Sequence, residues 1–226
     1  MNIPVFGVPV LNGVEHLEAM HETIDAEVQQ FVYVDNGDVL PDEPSVIKPR
    51  YNMGVAAAWN MIIKSTPWAE FWVISNHDKL FAPGELDKLA EETEKGGLVM
   101  LGGFSTFGIH RDVVREVGWF DEGFHPAFYE DNDMDYRCRL AGVSLTALPS
   151  ASQHRNSSTL KDDRLYATQN VTTFNANRER YLAKWGGEPY REQFKRPFDD
   201  PGSTYREAFL DIDVLARQQW DRVADR

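Results

Sequence analysis

Three apolar runs, Ile3 to Leu11, Phe31 to Val34 and Phe71 to Ile74, each stop at a polar turn, and stretches of helical spacing separate them. Val14, Leu17, Met20 and Ile24 share one helical face, and Asn52 to Ile63, with alanines at 56 to 58, reads as a second helix. Such βαβαβ order predicts an α/β fold: a Rossmann-like, mostly parallel central sheet flanked by helices. Ligands of open α/β sheets bind beyond the carboxyl ends of the strands. Asn12, Asp35, Asn36, Asn76 and Asp78 all follow such ends, so they are expected along one edge. Each alone is an ordinary turn former, but their recurrence at every strand end points to a nucleotide site. No GxxxxGK[ST] occurs and no GxGxxG follows the first run, which excludes a P-loop and the dinucleotide fingerprint.

The second constraint is the density of carboxylates in FDEGFHPAFYEDNDMDYRCRLAG, Phe120 to Gly142. From Asp131 onward Met134, Cys138 and Ala141 form an apolar stripe, Asp133 and Arg137 form an i, i+4 pair on another face, and Gly142 stops the helix. Helix capping and the N-terminal dipole account for one or two acids, Glu130 and Asp131 first. They do not account for Asp121, Glu122, Glu130, Asp131, Asp133 and Asp135 crowding among Phe120, Phe124, Phe128 and Tyr129. Acids among aromatics suggest a site. Trp119, directly before Phe120, is a candidate stacking platform for a sugar ring, against the ordinary reading of a tryptophan as core.

A chain of 226 residues suits one medium domain, or one domain with a helical tail, and its formal net charge of −13 argues against a nucleic-acid partner bound through phosphates. The single cysteine, Cys138, leaves no intrachain disulfide and reads as a core thiol. The start, MNIPVFGVPVLNG, lacks a basic n-region, and no apolar run approaches the roughly 20 residues of a transmembrane segment. A soluble, cytoplasmic protein is expected, with peripheral attachment to a membrane as the other location considered.

The order of motifs resembles the family 2 glycosyltransferases of GT-A fold from residue 3 to about 187. The matching pieces are VPVLN at 8 to 12, VDNGD at 34 to 38, NMGVAAAWN at 52 to 60, SNHD at 75 to 78, VGWFDEGF at 117 to 124, YEDNDMDYRCRLAG at 129 to 142 and LPSASQH at 148 to 154. The resemblance implies an inverting enzyme that moves a sugar from a nucleoside-diphosphate sugar to an acceptor hydroxyl. It places the donor base against Pro9, Asn12, Asp35 and Asn36, with Asn52 and Gly54 lining the same pocket. The family's DXD motif falls on Asn76, His77 and Asp78, so its first acid is missing and Asn76 is left to bond ribose. A Mn2+ or Mg2+ cofactor would rest on Asp78 and on His154, which follows the apparent strand VSLTALP. Asp131 is implied as the base, with Glu130 orienting hydroxyls, and Ser157 and Ser158 in RNSSTL would close over the diphosphate. The donor expected is a UDP- or TDP-sugar. The acceptor is a glycan, a protein or a small molecule.

On this reading residues 1–187 form the transferase domain, with about 1–100 as the nucleotide-sugar half and about 101–160 as the acceptor half. A helix from Tyr166 to Trp185 follows, and 188–226 is a C-terminal helical appendage ending in an amphipathic Ile212 to Val223 that packs on the domain or makes a homo-oligomer contact. A non-catalytic nucleotide-sugar or glycan-binding module of the same fold is the main alternative. A nucleotidyltransferase ranks lower, because VPVLNGVEHLE offers no lysine for a phosphate loop.

Overall fold

The computed structural model describes residues 2–154, 164–207 and 211–224. Strands β1 (Asn2–Val10), β2 (Glu27–Asp35), β3 (Val46–Ile47) and β4 (Phe71–Ser75) are followed by β5 (Lys79–Leu80), β6 (Leu98–Leu101), β7 (Thr106–His110), β8 (Leu145–Leu148) and β9 (Gln153–His154). The helices are α1 (Val14–His21), α2 (Val55–Ser65), α3 (Glu85–Glu94), α4 (Arg111–Val117), α5 (Glu130–Ala141), α6 (Arg164–Trp185) and α7 (Ile212–Ala224). Seven strands form one sheet in the order β3-β2-β1-β4-β7-β6-β8. Only β7 runs against its neighbours, as the mostly parallel reading requires.

Period-2 alternation divides the core between the two faces of the sheet. Val5, Val32, Val34, Trp72 and Ile74 face α2, α4 and α5. Phe6, Val8, Phe71 and Val73 face α1 and α3, through Leu17, Met20, Leu86 and Leu89. The strands are buried on both faces, which is why their sequences read as continuous apolar runs. Gly7 lets α2 lie close on β1, since a Cβ there would sit 2.4 Å from Ile62 Cγ2. Among the described residues, no helix is long and apolar enough to cross a membrane.

The segment beyond Trp185 packs on the domain. Glu207 bridges to the backbone of Gly118, Ile212 is 2% exposed within the main core, and Asp213 on α7 bonds Arg111 at 3.2 Å and Arg115 at 2.9 Å on α4.

Candidate active site

Parallel pairing sends the carboxyl ends of β1, β2 and β4 to one edge, and the polar residues at those ends go with them. Helix α5 returns to the same edge. It is joined to β8 by the tight turn at Gly142 (φ 70°), and β8 runs parallel to β6. A helix packed antiparallel to its following strand begins where that strand ends, so Glu130 and Asp131 come back toward the ends of β1 and β4.

Among the donor-side residues, Pro9 pairs with Val34 one step before the strand end. Asp35 is 1% exposed and its carboxylate accepts from the backbone N–H of Val39 at 3.0 Å and Leu40 at 2.8 Å. It therefore shapes the loop after β2. Asn36 Oδ1 accepts from Met53 N at 3.1 Å, and Asn52 Oδ1 accepts from Gly54 N at 2.9 Å. Gly54, at φ 81°, begins α2, and a Cβ there would meet His125 Cδ2 and Pro126 O at 2.9 Å. Val55 N donates to Pro126 O at 2.7 Å. These bonds join the loop after β2 to the loop that enters α5, so the expected donor and acceptor halves meet around Asn52 and Gly54. Asn12 is half-buried just past β1.

The SNHD turn lies between β4 and β5. Asn76 N donates to Ser105 O at 2.8 Å, and Asp78 is 5% exposed. The short antiparallel pair β5–β9 sets Lys79 opposite His154, which carries the backbone of His154 to within one residue of Asp78. The side chain of His154, and the whole of Ser157 and Ser158, lie outside the described residues, which hold no cluster of three metal-ligating side chains. His77 is 6% exposed and packs with His16, ring centroids 6.1 Å apart.

The crowded acids separate by partner. Asp121 Oδ2 pairs with Lys184 and Arg180, each at 2.9 Å, and Glu122 pairs with Lys64 at 3.1 Å. Asp133 pairs with Arg137 and Asp135 with Arg139, each at 2.8 Å. Glu130 and Asp131 form no ion pair among the described residues, and Glu130 Oε2 is buried there without a hydrogen-bond partner. Neither occupies the N-cap position: the residue before α5 is Tyr129, at φ 73°, with no side-chain bond to the helix end, and both acids lie in the first turn. Burial, reinforced by the charge of Asp131, pushes the Glu130 carboxyl well above its ordinary value. Burial also raises Asp131, opposed by the backbone N–H of Asn132, which donates to Oδ1 at 2.8 Å. The N-cap position thus belongs to neither Glu130 nor Asp131, although both stand in the first turn where the helix dipole favours an acid, and ion pairs hold the other four.

Trp119 departs from the sugar-stacking expectation. Its ring is 3% exposed in the core, with Lys64 Nζ 5.0 Å from its centroid, and its carbonyl accepts from Arg137 at 2.9 Å. It offers no open face and is left out of the proposed site. Several positioning residues were not anticipated. Asn60 on α2 binds both Phe120 N and Phe120 O at 2.9 Å, and Asn177 on α6, 4% exposed, donates to Ala127 O at 2.8 Å. The available signal was a lone asparagine within an otherwise apolar helical face, AAAWNMII for Asn60.

No family model matches the chain, and no curated protein matches it in sequence. Solved structures do resemble it. A mannosyltransferase from Pyrobaculum calidifontis in complex with GDP-Man and Mn2+ superposes with a TM-score of 0.55 at 15% identity, over 78% of this chain and 64% of that one. GalNAc-T7 with UDP, GalNAc and Mn2+ gives 0.61 at 11% identity, over 83% of this chain and 49% of that one. The Drosophila beta-1,4-galactosyltransferase 7 mutant with manganese, UDP-Gal and xylobiose gives 0.52 at 14% identity, over 76% and 79%. The chain spans about half to four-fifths of the length of these structures. With its seven-stranded sheet, single reversed strand and flanking helices, the chain has the GT-A fold of glycosyltransferases.

Proposed function

We propose that the protein is an inverting glycosyltransferase that moves one sugar from a nucleoside-diphosphate sugar, a UDP- or TDP-sugar foremost, to an acceptor hydroxyl. The observation that carries this is the pair Glu130 and Asp131: a buried and a half-buried acid without a described ion-pair partner at the start of α5, on the sheet edge that also holds Asn12, Asn36, Asn76 and Asp78. The fold shared with enzymes that bind UDP or GDP-Man supports the same reading.

In this reading Asp131 takes the proton of the acceptor hydroxyl as its oxygen attacks the anomeric carbon, while the bond from that carbon to the diphosphate oxygen breaks on the opposite face. A carboxylate raised by burial is a stronger base than one in water. Glu130, held toward its neutral form, donates a hydrogen bond to a sugar hydroxyl. Asn12, Asn36, Asn52 and Gly54 surround the base and ribose, on a loop that Asp35 holds in shape.

Asp78 and the backbone-paired strand that carries His154 fit a divalent ion, since one carboxylate and one imidazole leave room for diphosphate and water oxygens. An imidazole among the donors favours Mn2+ over Mg2+. When bound, the ion neutralises charge on the departing diphosphate. Asn76, in place of an acid, favours one second reading, a module that binds a nucleotide-sugar without turning it over.

Thermal stabilisation by UDP, GDP and TDP, each with Mn2+, Mg2+ or EDTA, tests the donor site. Transfer assays with the diphosphate so identified then compare wild type with Asp131→Asn. The variant is expected to keep the thermal shift and lose transfer by roughly 10²–10⁴-fold. Undiminished transfer removes Asp131 as the base, and a thermal shift with no transfer in wild type favours the binding module.

A further inference from the structure

Phe128 and Phe174 are 38% and 39% exposed. Their ring centroids lie 5.2 Å apart with planes at 73°, and Tyr129, 8% exposed, backs Phe174 at 5.4 Å. Val171, 66% exposed, sits about one turn before Phe174 on α6 and extends the apolar surface. Burying a phenylalanine side chain stabilises a fold, and Phe128 is left partly exposed instead.

The local backbone is unusual. Phe128 and Tyr129 both lie in the left-handed region, at φ 77° and 73°, a conformation that aromatic residues adopt only where the surroundings impose it. Asn177 imposes it, donating to Ala127 O at 2.8 Å and Phe128 O at 3.3 Å from a nearly buried position. Tyr129 is fixed from below by Tyr181 at 5.4 Å. The strained pair leads directly into Glu130 and Asp131, and the charge of Asp131 reaches the Tyr129 hydroxyl.

We propose that Phe128 and Phe174 form the acceptor subsite, a stacking surface for a saccharide ring whose hydroxyl is presented to Asp131. This rests on the transferase reading above and adds the class of acceptor. A sugar ring combines an apolar C–H face, which packs on aromatic rings, with hydroxyls that bond carboxylates, and this surface joins exposed rings to two acids in consecutive residues. A lipid chain would be served by the rings but not by the acids. A nucleobase would stack equally well, but the residues expected to hold it lie at the ends of β1 and β2. A polyanion is disfavoured by the net charge of −13.

The test uses the full chain on an array of immobilised mono- and oligosaccharides, with the stabilising diphosphate and Mn2+ present. Wild type is expected to bind a defined subset of saccharides. Phe128→Ala and Phe174→Ala are each expected to weaken that binding roughly three- to tenfold, the range of a lost aromatic contact, while Phe174→Tyr stays within about twofold because the ring face is kept. All variants keep the wild-type thermal shift with diphosphate, which separates this subsite from the donor site. Saccharide binding unchanged in both alanine variants overturns the proposal. So does a wild type that takes up diphosphate and binds no saccharide, which would point to a non-carbohydrate acceptor. A wild type with no diphosphate shift overturns the transferase reading itself.

Discussion

Trp185 Nε1 donates to Asp133 Oδ1 at 2.8 Å, and both side chains are fully buried. The same oxygen lies 2.9 Å from Lys184 Nζ, and Asp133 Oδ2 accepts from Arg137 Nε at 2.8 Å. Arg137 in turn donates to Val117 O and Trp119 O, and Lys184 reaches Asp121 and Glu207. Helices α5 and α6, the loop after α4 and the C-terminal segment are thus tied through one buried set of charges. Opposite charges in such a set raise Lys184 despite its burial, so it stays cationic.

Lys184→Met leaves Asp121 and Asp133 with one cation fewer in a site that excludes water. Removing one partner of a buried pair costs about 3–5 kcal/mol. Urea denaturation of the variant is expected to show a loss of this size with an unchanged slope. A loss under about 1 kcal/mol, the value of an exposed pair, would mean that water enters the set and screens it.

Acid stability follows from Asp121. Burial opposes its charge, but Lys184 and Arg180 prevail and hold its carboxyl at about 2 against an ordinary 3.8. A carboxylate with a depressed folded-state value contributes stability that is present above the unfolded value and lost as pH falls toward the folded one. The difference amounts to about 2 kcal/mol, fading between about pH 4 and pH 2. Asp121→Asn is expected to be less stable at pH 7 and to lose less between pH 4 and pH 2 than wild type. Parallel denaturation profiles for the two proteins in that window would remove Asp121 as the source.

Glu130 has the opposite sign. Its folded-state value is raised by burial and by Asp131, so wild type loses stability as pH climbs from the unfolded value through the folded one. Glutamine resembles the neutral acid in size and carries no such cost. Glu130→Gln is expected to melt at or above the wild-type temperature at pH 8 and to match it near pH 4. Under the proposed function it loses less transfer than Asp131→Asn. A lower melting temperature at pH 8 would show that the carboxylate is ionised and held by a partner.

Gly54 marks the joint between the two halves of the site. At φ 81°, with His125 Cδ2 and Pro126 O each 2.9 Å from where a Cβ would stand, alanine is strained both by its backbone and by a carbonyl that accepts Val55 N. Gly54→Ala is expected to cost more than the roughly 1 kcal/mol that alanine otherwise gains over glycine in helical backbone and to weaken diphosphate binding. Wild-type melting and diphosphate shifts would place the joint elsewhere.

The strands of the donor half were legible because burial on both faces writes them as continuous apolar runs, and α5 and α6 because their spacing is helical. The reversed strand β7 and the helices α3 and α4 were not read. TFGIH is short, and nothing local distinguishes an antiparallel strand from a parallel one. ELDKLAEETE is polar enough to pass for a loop until Leu86, Leu89 and Ala90 are seen buried against the sheet. The crowded acids were read as a group; the partners of Asp133 and Asp135 stand four residues on within α5, whereas those of Asp121, Arg180 and Lys184 on α6, lie 59 and 63 residues away in sequence. Trp119 shows the same limit, since a tryptophan beside a site and one beneath it have the same sequence context.

Asn76 follows β4, its backbone is held by Ser105 at 2.8 Å, and Asp78 is two residues on, beside the β5–β9 pair that carries His154. In the proposed site the cation meets one protein carboxylate where the family pattern supplies two. Asn76→Asp adds a second negative charge without changing side-chain size, and a cation that lacks a full set of protein oxygens gains most from one more. The variant is expected to bind Mn2+ at least about tenfold more tightly, about 1.4 kcal/mol, seen as a melting shift at lower Mn2+ in the presence of diphosphate. Repulsion between the two carboxylates should lower stability without metal. Asp78→Asn in the same series is expected to abolish the Mn2+ dependence while the diphosphate is still bound weakly. If Asn76→Asp leaves the Mn2+ response unchanged and Asp78→Asn does too, the cation is not held at this turn, and the charge of the leaving diphosphate is met by protein cations alone.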